Sequence, residues 1–383
     1  MTKCIYHEIN REQLAQDLDK IRDEVLADLG KKDFQHLKKI EHWGRYCSLI
    51  GYGTAWIIPN PVSAYFISQG NMTRWTTIAH HILHRAYDKI EGLPNHYTSK
   101  GFAKGKRRYL DWFEWMLPEA WDKEHNDLHH YNLGEQADPD QAEFNTKSFR
   151  ATKMPLYLRY ILLGMMACVW KFFYYAPVTL RHLRNSKAKK AGIEIPPLSK
   201  LDEWNPLKIE GRELWIQCLL PYASIRFVLI PLLFIPVGIV TTLGGTIVAT
   251  NVLINSLLAE LMTNIHTFLV IGTNHVGDDI YVFEDKSTNK GEFYLRQILG
   301  STNFTTGSDP VDFVHGWLNY QIEHHLWPDI PLSRYQMAQP KVKAVCKKHG
   351  IPYCQESVLT RLWKTLDILT GKKVMLRPSI VSP

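Results

Sequence analysis

Residues 227–259 read FVLIPLLFIPVGIVTTLGGTIVATNVLINSLLA, 33 positions without a single Asp, Glu, Lys, Arg or His. A helix needs roughly 20 apolar residues to cross a bilayer core, so this run is long enough to cross, turn and start back. Buried helices of soluble proteins are usually shorter and keep a polar stripe. A second uncharged run, of 26 residues, covers Ser48 to Thr73. The overall mean hydropathy is negative and 22% of residues are charged, but the charge is segregated away from these runs.

The segregation gives a topology. Residues 43–59 and 62–80 form one expected hairpin, turning at Asn60-Pro61, where proline ends the preceding helix. Residues 225–242 and 245–272 form a second, turning at Gly244-Gly245. Neither turn carries a charge, whereas KKDFQHLKK, KGKRRY, RHLRNSKAKK and KVKAVCKKHG all fall on the other side. The positive-inside rule then places both termini in the cytosol. Residues 156–176 are apolar but interrupted by Arg159 and Lys171, which reads as an interfacial or half-inserted helix. The expected fold is an all-α integral-membrane bundle of about four transmembrane helices in two hairpins, capped by cytosolic helices. Residues 1–42 form a cytosolic helical segment, 43–335 the membrane domain and 336–383 a cytosolic helical tail.

The first 45 residues are charged and contain no apolar signal segment. The six cysteines are scattered and make no CxxC pair, which argues against a disulfide framework or thiolate zinc site. The net charge of +7 gathers on one face, where it suits anionic headgroups or an acidic partner protein rather than a nucleic acid.

Three sequence regions meet at the cytosolic membrane surface, and each is rich in histidine. AHHILHRAYDK places His80 and His84 four residues apart, on one helical face. KEHNDLHHYNLGEQADPD repeats that spacing with His125 and His129 and adds His130. NYQIEHHLWP carries Gln321, His324 and His325. His275 stands in GTNHVGDD at the end of the fourth span. Adjacent His324 and His325 point about 100° apart on a helix, so a common packing face does not explain them. Acceptance of imidazole from two directions does. Eight imidazoles exceed the needs of one tetrahedral zinc and suit two metal ions with open positions. A histidine set without thiolates or dominant carboxylates favours iron or copper over magnesium or calcium. No HExxH occurs, which removes the zinc-protease reading. His315, Asp127, Glu323 and Asp279 stand near these clusters as a further ligand or as partners of the far imidazole nitrogens.

These motifs resemble the three histidine boxes of the integral-membrane fatty acid desaturase and hydroxylase superfamily. LNYQIEHHLWPDIP is similar to the third box of front-end acyl desaturases, in which glutamine replaces the first histidine. HNDLHHYNLGEQADPD and HHILH resemble the second and first boxes, and the likeness runs from about residue 45 to 335. The resemblance implies iron ligands at His80, His84, His125, His129, His130, His275, His324 and His325, with Gln321 as an accessory group. It implies O2-dependent insertion of a C=C bond into a fatty acyl lipid, acyl-CoA or acyl carrier protein substrate. No HPGG haem motif is present, so a separate ferredoxin or cytochrome b5 is the expected electron donor.

An unactivated methylene has no acidic proton, so side-chain acid–base chemistry cannot desaturate it, and an oxidant made from metal and O2 is required. The same oxidant serves hydroxylation, acetylenic bond formation or decarboxylation, which remain open readings. A non-redox zinc hydrolase or metal carrier is a third. Trp112, Trp115, Trp121, Trp317 and Trp327 are candidates for a substrate tunnel wall, or for an ordinary interfacial aromatic belt.

Overall fold

The computed structural model describes residues 5–196 and 199–378; Cys4 lies outside them. The regular structure of the described residues is helical, and their extended backbone forms only three isolated bridges. The other five cysteines are free thiols.

Helix α1 (Arg11–Leu26) is capped by Asn10, whose Oδ1 accepts from Gln13 N at 3.1 Å. Its buried stripe of Leu14, Leu18, Ile21 and Val25 follows the helical period. α2 (Lys31–Ala55) and α3 (residues 61–83) form the first hairpin. Asn60 caps α3 by accepting from Ser63 N at 2.8 Å, and Pro61 takes the first helical position, where its missing N–H costs nothing. The helices touch backbone to backbone. A Cβ on Gly51 would lie 2.6 Å from the Ile67 nitrogen, and one on Gly70 would lie 2.1 Å from Ser48 Oγ. Close approach through small residues is how helices gain packing energy in lipid, where apolar burial drives little.

The three longest helices between the hairpins are α4 (residues 118–129), α5 (Leu156–Ala167) and α6 (Lys171–Lys190). α5 and α6 are bent by 83° at their junction. Of the two interrupting cations, Lys171 stands at the bend and Arg159 near the start of α5. Arg159 turns back onto the carbonyls of Met154, Arg150 and Thr370. Lys171 is fully buried, bonded to the Glu114 carboxylate at 2.9 and 3.0 Å. An elbow rather than one straight helix results.

The second hairpin is α7 (Ile209–Val240) and α8 (Gly245–Gly272), the two described helices long and apolar enough to cross a membrane. α7 begins earlier than the uncharged run suggested. Arg226 is accommodated inside it by Tyr52 OH and Asn71 Oδ1, each at 2.7 Å. Val228, Leu232, Leu233, Ile239 and Val240 are half or more exposed, a surface that needs lipid. Gly244 turns the hairpin with φ +94°, in the left-handed region that favours glycine. A Cβ on Gly238 would come within 2.6 Å of the Gly244 carbonyl.

α8 also explains its own polar residues. Asn255 donates to the carbonyls of Ala55 and Ile58 and accepts from Asn60 N, while Asn251 donates to those of Trp56 and Ile57. Carbonyls left open at a helix end are expensive in hydrocarbon. Two asparagines satisfy them and lock the hairpins together.

The remaining helices include α9 (Lys290–Leu299), α10 (Gln321–Leu326), α11 (Leu332–Lys348) and α12 (Val358–Leu369). α1 packs on α9 and α11. Buried Arg334 of α11 bonds to Asp33 at 2.6 and 2.5 Å and also pairs with Asp28. α2 runs unbroken past residues 42 and 43, and α11 past 335 and 336.

Candidate metal centre

Eight buried or part-buried imidazoles converge in two adjoining groups. His80, His84, His125, His130 and His324 offer nitrogens within 4.8 Å of one another, and so do His129, His275 and His325. The groups abut where the rings of His130 and His325 stack at 4.2 Å.

Local helix geometry makes the sorting. α3 widens over Thr73–Ala79 just before His80, and α4 widens over Asp122–His129. The bond from His130 N to His125 O spans five residues rather than four. Wide turns of this kind often mark functional sites. Here the turn aligns His125 with His130 for the first group and leaves His129 facing the second. In α10, consecutive His324 and His325 diverge into different groups. His275 follows α8 directly and joins the second group.

Proton positions are set from outside the cluster. His80 Nδ1 donates to Thr76 O at 3.1 Å, His275 Nδ1 to Gly300 O at 3.1 Å and His325 Nδ1 to Gln297 Oε1 at 3.1 Å. His129 Nδ1 lies 2.9 Å from Asp138 Oδ1, and His324 Nδ1 lies 3.1 Å from Tyr335 OH. An imidazole that donates through Nδ1 presents a bare lone pair at Nε2. Those lone pairs face inward. The Nε2 atoms of His84, His324 and His325 are buried without a partner. His125 Nε2 lies 2.9 Å from His80 Nε2 and 3.2 Å from His130 Nε2.

Burial, and then neighbouring imidazoles, push His125, His130, His324 and His325 well below the usual histidine range. They are neutral, the form that ligates metal. Burial also lowers His129, but the Asp138 carboxylate outweighs it and the net shift is upward. Converging lone pairs without protons repel unless a cation sits between them. Two nitrogens each about 2.1 Å from one ion and at right angles stand about 3 Å apart, close to the separations seen. The donor set therefore fits a metal ion, and its all-nitrogen chemistry fits iron or copper.

The other anticipated residues are placed as follows. The Gln321 amide lies 2.9 Å from His275 Nε2, and its Oε1 is buried without a partner. Glu323 is buried but bonds to Asn303 and Tyr353. Asp127 pairs with Lys123 and Asp279 with Arg361 and Lys364. His315 caps its own helix at Val311 O beside Phe304. These four are engaged outside the two groups. All five tryptophans are buried rather than standing as an exposed belt. Trp121 is the one among them that contacts candidate ligands, stacking on His125 at 4.5 Å.

The residues that hold the imidazoles went unnoticed: Thr76, Asp138, Gln297, Gly300 and Tyr335. Asp138 alone had a sequence signal, the DPD that trails the second cluster. Its Oδ2 accepts from Gly134 N at 2.9 Å and its Oδ1 from Asp140 N at 2.9 Å. Replacing it, Asp138→Asn, keeps the shape but removes the charge behind His129. We expect metal affinity to fall roughly 10- to 100-fold, read as iron retained after dialysis against a graded chelator. Retention equal to wild type would show that Asp138 does not orient His129.

A helical bundle with a lipid-facing hairpin and a buried polyhistidine cluster at its base defines a membrane metalloenzyme. A sequence profile of the fatty acid desaturase family matches residues 54–357, and the chain belongs to that family, whose members are oxidoreductases. It is 25% identical over 387 residues to an NADPH-dependent stearoyl-CoA 9-desaturase of Mycobacterium tuberculosis, covering 96% of this chain and 81% of the relative. Shorter matches are closer. An acyl-lipid (9-3)-desaturase of Physcomitrium patens is 35% identical over 112 residues, covering 29% of this chain and 20% of the relative. A Delta(8)-fatty-acid desaturase of Borago officinalis is 31% identical over 110 residues, covering 29% and 24%.

Proposed function

We propose that the chain introduces a C=C bond into a fatty acyl chain, with two iron ions held by the eight imidazoles. His80, His84, His125, His130 and His324 hold one, and His129, His275 and His325 hold the other beside the Gln321 amide. The observation that carries this reading is the buried set of inward, unpartnered nitrogens. Bound iron supplies the one thing the polypeptide lacks, conversion of O2 into an oxidant able to take hydrogen from a methylene. Two hydrogens leave adjacent carbons; with O2, two electrons and two protons, the products are an alkene and two waters. The electrons come from a separate ferredoxin or cytochrome b5.

The protein's own part is positioning and exclusion. Thr76, Asp138, Gln297 and Gly300 hold the ring tautomers. Trp121 closes one side of the cluster against water. The first hairpin completes a four-span plan, with both termini and the centre at the cytosolic surface. Residues 5–42 and 336–378 brace the centre from that side.

The test is product analysis of iron-loaded protein given a fatty acyl substrate deuterated along its chain, with O2 and a reduced donor. An alkene that has lost two deuterium atoms is expected, and apo protein should make none. A saturated product heavier by one oxygen atom would replace the desaturase reading with hydroxylation. Turnover without O2 or iron would end it.

A further inference from the structure

A cavity of about 380 Å³ opens between α2, α3 and the segment at residues 96–111. Arg45, Arg74 and Arg107 line it, with His96 beside them. Two of these arginines are already matched. Arg45 pairs with Glu41 at 2.5 Å and Arg107 with Asp111 at 2.7 Å. Arg74 differs: its guanidinium makes no hydrogen bond or ion pair among the described residues, and the charged side chains acting on it, Arg226 and Arg45, are also cations. None of its nitrogens is enclosed without a partner, so its donors stand open toward the cavity they line. Other walls of the cavity are apolar, from Ile78 and Phe102. Ile78 lies two residues before His80 on the same helix.

We infer that this cavity binds the phosphate-bearing headgroup of the acyl substrate's carrier, with Arg74 as its anchor. The inference rests on the acyl reading of the metal centre and adds the carrier chemistry to it. A phosphate matches the guanidinium fork with two charge-assisted bonds. Ser48 and Thr73 at the cavity wall offer hydroxyls, though each bonds a carbonyl one turn back. The apolar wall receives the start of the chain, on the helix that delivers His80 to the metal. Coenzyme A and a glycerophospholipid headgroup share this chemistry, and the test separates them.

Iron-loaded full-length protein in detergent is titrated calorimetrically with coenzyme A and, separately, with glycerophosphoglycerol; inorganic phosphate is the control for a bare anion. One of the first two is expected to bind more tightly than phosphate, and its identity names the carrier. Arg74→Gln should weaken that probe roughly 10- to 100-fold, with Arg74→Lys between the two. Leu110 lines the same cavity and is 70% exposed, so its replacement does not threaten the fold. Leu110→Glu should weaken the probe and Leu110→Lys tighten it, each several-fold, which decides the matter even where Arg74→Gln fails to fold. Absence of binding by both headgroups, or binding indifferent to the Leu110 charge, overturns the inference. A chain that binds a probe here yet forms no alkene loses the desaturase reading and keeps the cavity's assignment. One that desaturates with KM unmoved by the Leu110 pair loses the cavity alone.

Discussion

Replacing His84 or His325 by alanine should each abolish measurable desaturation, a larger loss than the roughly 10- to 100-fold typical of an outer partner. The two residues sample different groups. His84 faces His130 at 4.4 Å between ring centroids, His80 at 4.8 Å and His324 at 4.9 Å. His325 faces His275 at 4.5 Å and His129 at 5.1 Å. If each group holds its own iron, each variant lowers bound iron by about one ion per chain, and neither empties the other group. Metal analysis of purified protein checks this. Thermal unfolding supplies a second readout, because a ligand that binds only the folded state raises stability with its concentration. Wild type should melt higher when iron is restored, and each variant should gain less. Full iron and full activity in the His325→Ala variant would show that the second group is not a metal site.

Much of this centre was legible in the sequence because helical spacing is a strong constraint. His80 and His84, four apart, face together without help from the rest of the fold. What spacing could not show was the partition. His129 and His130 separate because α4 widens locally, and no residue pattern announces an extra residue in a turn. The outer partners were hidden for a related reason. Thr76 and Gly300 act through backbone carbonyls, which every residue possesses. Gln297 arrives from α9, 28 positions before the His325 it holds. The acids that looked promising were those near histidines in sequence, and on a helix such neighbours point away. Asp127, two residues from both His125 and His129, faces solvent beside Lys123.

The two apolar helices of the second hairpin were legible from the longer uncharged run, and the cations inside the apolar segments follow from their pairing. Arg226 sits within α7 because two side-chain oxygens receive it. Lys171 at the elbow and Arg159 near the start of α5 each find acceptors that a straight lipid-exposed helix would not offer. The docking of α1 onto α9 and α11 was not legible. It depends on Tyr294 OH donating to Asp19, 275 positions earlier, and on Arg334 donating to Val25 O, 309 positions earlier.

Lys171 carries the second large effect. Its ammonium is fully buried, bonded to Glu114 and 3.5 Å from Glu260, and it lies 5.3 Å from the centre of the Trp75 ring. Glu260 also accepts from Trp115 Nε1 at 2.7 Å, Tyr222 OH at 2.6 Å and Asn264 Nδ2 at 3.0 Å. One cation thus stands between two carboxylates that joining segments bring from α8 and from the loop before α4. Lys171→Met fills the same space but strands both acids away from water. Breaking a buried pair in this way costs about 3–5 kcal/mol, a large share of a typical folding free energy. We expect a correspondingly lower unfolding temperature in detergent, with iron lost in the same transition because α6 packs on α4, which carries His125 and His129. The double variant Lys171→Met, Glu114→Gln removes one stranded charge and should recover part of the loss. Such non-additivity is expected of residues in one network. An unfolding temperature equal to wild type in Lys171→Met would mean that the elbow is held by apolar packing alone, and the charges merely tolerate it.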